Sequence, residues 1–159
     1  WKDGMDFYKS AYLYDNENPY VLQQGALFLS KKKQYQEAFK WIDKAINSTN
    51  DKYFSIRNSH AIILFDANYE LELNNMVEEQ LDRSMEILHK CYHDDSRKIF
   101  HAIVYADQAE RYFFKANSVK TINYLQQAQK WLKEESSNNS WNYELKQRLN
   151  KVEKILATL

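Results

Sequence analysis

Glycine and proline together supply three of the 159 residues: Gly4, Gly25 and Pro19. β-Sandwiches and β-barrels reverse direction often, and their tight turns draw on these residues. A nucleotide-binding α/β fold needs a glycine-rich phosphate loop, which two isolated glycines cannot make. Both groups of folds are nearly excluded, and an all-helical chain remains. The hydrophobic pattern agrees, because apolar residues recur at spacings of three and four and strand-like alternation is hard to find.

Eight helices are read along the chain. The first, about residues 3–14, sets Met5, Tyr8, Ala11 and Tyr12 on one face, and the run Asp15-Asn16-Glu17-Asn18 ends it. Pro19 suits the first turn of the second helix, about 19–32. The third covers about 35–47 and is followed by a polar break at 48–51. A long fourth helix runs over about 53–73, and the fifth over about 76–92. The sixth, about 97–115, is apolar on most sides (Ile99, Phe100, Ile103, Val104, Tyr105, Tyr112, Phe113, Phe114), the pattern of a helix buried between neighbours. Ser118 is placed to cap the seventh, about 119–134. After a loop at 135–139, Ser140 is placed to cap the eighth, about 141–158. Short loops make consecutive helices antiparallel, and with no Pro/Gly/Ser-rich linker the whole of 1–159 reads as one domain.

The chain also repeats itself. Tyr8 and Ile42 are 34 residues apart, as are Ala11 and Ala45. Val21-x2-Gln24-Gly25-x2-Phe28 resembles the first-helix motif W-x2-L-G-x2-Y of the tetratricopeptide repeat, and Ala38-x3-Ile42-x2-Ala45 resembles its second-helix motif A-x3-F-x2-A. Ala109-x2-Tyr112 and Leu125-x2-Ala128 take the same relative positions near the end. A glycine inside a helix costs about 1 kcal/mol relative to alanine, so Gly25 points to close helix contact. The resemblance is good over about 5–50, moderate over 100–134 and poor over 53–93, where the long fourth helix breaks the period. It implies an all-α, tetratricopeptide-like α-solenoid of antiparallel helix pairs at 19–48, 53–93 and 97–135. Residues 1–15 would then be the second helix of a truncated repeat, and 140–159 a C-terminal capping helix. That last helix has Trp141, Leu145, Leu149, Val152, Leu156 and Leu159 on one face and charged residues on the other, as a terminal cap requires. Because the chain opens on Trp1 and enters a helix almost at once, an excised piece of a larger protein is expected.

Lysine plus arginine and aspartate plus glutamate number 22 each, so no global electrostatic footprint for nucleic acid or an anionic membrane exists, although a local patch remains open. The longest strictly apolar run, residues 61–65, is far too short to span a bilayer. A single cysteine, Cys91, suits a reducing compartment, and a cytoplasmic location is expected.

In tetratricopeptide proteins the first helix of each repeat lines the ligand groove. The resemblance places Leu22, Ala26, Leu29 and Ser30 there in the first full repeat, Asn58, Ile62, Phe65 and Asp66 in the second, and Ala106, Glu110 and Phe113 in the third. It implies a protein-interaction module with a protein or peptide partner, no cofactor and no catalysis, the sensor or binding arm of a multidomain bacterial signalling or defence protein. Three weaker patterns stand beside it. His89 and His93, one helical turn apart, could share a metal, although Cys91 lies on another face and no CxxC or HExxH accompanies them. Arg97-x3-His101 is similar to the R-x4–6-H motif of HEPN-type ribonucleases, one residue short. Lys31-Lys32-Lys33 could meet phosphates, but more simply complements the dipole at a helix end, and nucleic acid is not the expected partner. The alternatives are an RNA-binding or HEPN-like ribonucleolytic helical domain, using Lys31-Lys32-Lys33 or Arg97 and His101, and a structural oligomerisation scaffold.

Overall fold

Residues 2–14 and 18–159 are described by a computed structural model; the expected break at Asp15-Asn16-Glu17, like Trp1, lies outside them. Every regular element among the described residues is an α-helix. The chain divides into two compact units, Trp1–Ile87 and Leu88–Leu159.

The first unit holds α1 (Lys2–Tyr14), α2 (Pro19–Lys31), α3 (Tyr35–Ser48), α4 (Phe54–Tyr69) and most of α5 (Asn75–Asp94). Pro19 does occupy the first turn of α2, where its missing N–H costs nothing. The Asn18 side chain accepts from the amides of Tyr20 (3.0 Å) and Val21 (3.3 Å). Leu22, Ala26 and Leu29 of α2 meet Ala38, Ile42 and Ala45 of α3 and Ile56 and Ile63 of α4 in one core. Gly25 lets α2 and α3 approach, since a Cβ built there would lie 2.2 Å from Cζ3 of Trp41. Tyr12 stacks on Trp41 at 5.1 Å. Gln23 ties α2 to α4 by donating to the Ser55 carbonyl (3.1 Å) and Ser59 Oγ (2.9 Å), and buried Ser84 of α5 donates to the Ala61 carbonyl of α4 (2.7 Å).

The second unit holds the end of α5 with α6 (Lys98–Lys115), α7 (Val119–Asn138) and α8 (Tyr143–Ala157). Ser118 caps α7 as expected, in a reciprocal pair: its Oγ accepts from the Thr121 amide (3.3 Å) while Thr121 Oγ1 accepts from the Ser118 amide (3.0 Å). The core is aromatic, with Trp131 of α7 stacked on Tyr92 at 3.9 Å and meeting Tyr105 of α6 edge-on at 4.7 Å.

Several expected boundaries move. α4 stops at Tyr69 rather than 73, because Leu71 and Leu73 find no core and remain exposed, and the Asn74 side chain starts α5 by accepting from the Val77 amide (2.9 Å). α7 continues through the expected 135–139 loop to Asn138, where Ser137 and Asn139 side chains donate to carbonyls one turn back. Asn142, not Ser140, caps α8, accepting from the Leu145 amide (3.1 Å). Trp141, expected on the apolar face of that helix, is exposed together with Leu159, while Leu145 and Val152 are buried. Nor is α6 buried all round: Phe100 and Phe114 are exposed, and Ile99, Ile103 and Val104 are half-buried.

Candidate partner-binding cleft

The incomplete burial of α6 produces a cleft within the second unit. Two ion pairs join α6 to α8: Arg148 Nε to Asp107 Oδ1 at 2.8 Å and Lys151 Nζ to Glu110 Oε1 at 3.2 Å. Both pairs advance three residues along each helix, so α6 and α8 run parallel. Towards the N-terminus of α6 they enclose a cleft of about 870 Å³. Its apolar floor is Ile99, Phe100, Ile103 and Val104; Glu135 and Asn139 of α7 and Glu144 and Arg148 of α8 form the wall. That volume and mixture, an apolar surface with a few polar groups, suit an organic ligand or a peptide side-chain cluster.

The turn that leads into α6 is tied down tightly. Asp95 accepts from the Ser96 amide (2.8 Å), Arg97 Nε (2.9 Å) and His101 Nε2 (2.7 Å), a carboxylate at the positive end of a helix. Burial pushes the Asp95 carboxyl up, but the His101 and Arg97 hydrogen bonds hold it below the ordinary carboxylate value. Burial lowers His101, outweighing the Asp95 carboxylate that raises it. A neutral imidazole facing a carboxylate must carry its proton on Nε2, which leaves the buried Nδ1 as an acceptor with no partner. Lys98 donates to the carbonyls of Tyr92 and of His93 (2.8 Å), capping the end of α5 from the other side.

The expected groove positions do not line this cleft. Leu22, Ala26, Leu29, Ser30, Asn58, Phe65, Ala106 and Phe113 are buried, and Ile62, Asp66 and Glu110 are half-buried, Glu110 being the partner of Lys151. On α6 the cleft-facing residues are Phe100, Ile103, Val104 and Asp107, one helical position away from the expected set. Sequence reasoning missed Asp107, Glu144 and Arg148. The signal for Asp107 and Arg148 was present in the matching three-residue steps of Asp107/Glu110 and Arg148/Lys151.

His89 and His93 are both exposed. The His89 ring packs against Trp131 at 4.9 Å, and no group of three metal-ligating side chains occurs among the described residues. Arg97 and His101 do meet on Asp95, but the His101 ring is 1% exposed with Nε2 already engaged. Lys31 and Lys32 are exposed at the end of α2, and Lys33, in the left-handed region at φ 61°, pairs with Glu70 at 2.9 Å. No helix among the described residues is long and apolar enough to cross a membrane.

Comparison with protein-family models, with curated proteins and with solved structures finds no match. Fold and cleft together define an all-helical protein whose adjacent helices pack against one another in a helical-repeat-like arrangement.

Proposed function

We propose that this chain is a protein-interaction module of the tetratricopeptide type, which grips a peptide segment of a partner protein in the α6–α8 cleft. The observation that carries the reading is the apolar floor of that cleft: Phe100 remains 44% exposed, and Ile99, Ile103 and Val104 lie beside it. Side chains of this kind favour burial, at roughly 25 cal/mol per Å², and the ion pairs on α8 give a bound segment polar contacts at the rim. The repeat-type packing of Gly25, Ala38 and Ala45 in the first unit supports the family reading. A reducing, cytoplasmic setting suits the single, buried Cys91.

The test is selection of a random 16-residue phage-displayed peptide library on the intact chain. Selected peptides are expected to lose at least tenfold in affinity for the Val104→Asp variant, with its far-UV spectrum and melting temperature unchanged. Peptides that bind Val104→Asp as tightly as the wild-type chain overturn the cleft as the site.

A further inference from the structure

Zero net charge conceals an asymmetry between the two units. Residues 1–87 carry 10 basic and 14 acidic side chains, whereas residues 88–159 carry 12 and 8. Part of this positive excess is displayed on the outer face of α8. Leu145 and Val152 point into the core. On the opposite side Tyr143, Lys146, Gln147, Asn150, Lys151 and Lys154 line a shallow depression of about 460 Å³. No carboxylate belongs to that lining. Glu153 is drawn away by Lys133 (3.7 Å) and Gln129 (3.2 Å), and Glu144 belongs to the cleft wall. Lys151 meets Glu110, but Lys146 and Lys154 have no anion beside them among the described residues.

Two large exposed rings lie at the N-terminal end of α8: Tyr143 lines the depression, and Trp141 precedes the helix by two residues. Trp141 is 77% exposed and Tyr143 75% exposed. The α8 packing does not require them, since Leu145 and Val152 make its buried contacts. Cations along a helix face, amides between them and water-exposed rings at one end match the chemistry of an unpaired polynucleotide: phosphates for the ammonium groups, base edges for the amides, base faces for the rings.

We propose that the outer face of α8 binds single-stranded nucleic acid, with phosphates on Lys146 and Lys154 and bases stacked on Trp141 and Tyr143. An anionic bilayer would instead call for apolar side chains on this face to insert, and Gln147 and Asn150 occupy its middle. An acidic peptide would use the lysines and leave both rings idle. The site is separate from the α6–α8 cleft and does not depend on it.

Fluorescence anisotropy of labelled 20-nucleotide U and dT oligomers on the intact chain tests this, with K146E/K154E and W141A/Y143A variants checked by circular dichroism. Expected are a log–log salt slope near −1.4, from about 0.7 per neutralised phosphate, and a loss of at least tenfold for K146E/K154E. W141A/Y143A should lose at least fivefold at 200 mM salt, where stacking persists. Absent binding at 50 mM salt, or binding that K146E/K154E leaves intact, overturns the proposal. So does competition by poly-glutamate or phosphatidylserine vesicles as effective as by oligonucleotide, or full affinity of W141A/Y143A at 200 mM salt.

Discussion

Gly25 of α2 faces the indole of Trp41 on α3 so closely that a methyl group on Gly25 would sit 2.2 Å from Cζ3 and 2.4 Å from Cε3. Trp41 cannot simply swing aside, because Tyr12 stacks on it at 5.1 Å. Gly25→Ala gains about 1 kcal/mol of helix propensity. It loses more to overpacking, which costs about 1–3 kcal/mol and more where a ring cannot move. The variant should melt lower, by about 2–4 °C for each kcal/mol of net loss. Adding Trp41→Leu should recover part of the loss. A Gly25→Ala protein as stable as wild type in thermal melts would show that the two helices can separate at little cost.

Stability should fall between neutral and mildly acidic pH. His101 titrates below its ordinary value, first because it is buried. His60 does so as well, again chiefly through burial, against the nearby Asp43 that raises it. A histidine whose folded value lies below the unfolded one, about 6.5, binds its proton more readily when unfolded. Its contribution is therefore complete above about pH 6.5 and is lost as pH falls through the folded value. Asp95, also lowered, adds its own loss only below about pH 4. Urea midpoints at pH 7.5 and 5.5 should differ, and the difference should shrink in the His60→Gln/His101→Gln double variant. An unchanged difference would assign it to other groups.

Two residues assigned by sequence pattern to one apolar face of α8 should behave in opposite ways. Leu145 is fully buried and Trp141 is exposed. Leu145→Ala should cost about 2–5 kcal/mol by leaving a cavity. Trp141→Ala should change stability by no more than about 0.5 kcal/mol. Chemical denaturation of both variants checks the contrast, and comparable losses would mean that Trp141 packs against the fold.

The reciprocal cap at α7 offers a smaller effect. Ser118→Ala leaves the Thr121 amide without its acceptor, and such caps contribute about 1 kcal/mol. Hydrogen exchange should quicken first in the opening turn of α7. Unaltered exchange there would show that Thr121, which also donates to the Ala116 carbonyl at 2.9 Å, holds the turn by itself.

Much of the fold was legible because it rests on local rules. Pro19 and Ser118 mark helix starts through backbone chemistry that extends only a turn, and Ala38, Ile42 and Ala45 lie on one face by spacing alone. The cleft was less legible. Asp107 lines the cleft while its neighbour Ala106, about 100° round the helix, is buried, and both choices give an amphipathic pattern. The apolar residues of α6 suggested burial on most sides, yet Phe100 and Phe114 are exposed.

Helical class and helix number followed from composition and spacing, because these depend on interactions between residues a few positions apart, and Gly25 marked a close helix contact because a glycine inside a helix is otherwise costly. Tertiary structure decided that Leu22, Phe65 and Ala106 belong to cores, that Asp95 gathers Arg97 and His101, and that Trp141 faces water. Those outcomes depend on which helix lies beside which and at what rotation. A single helix carries several faces able to be buried, and only the neighbours that pack against it select one.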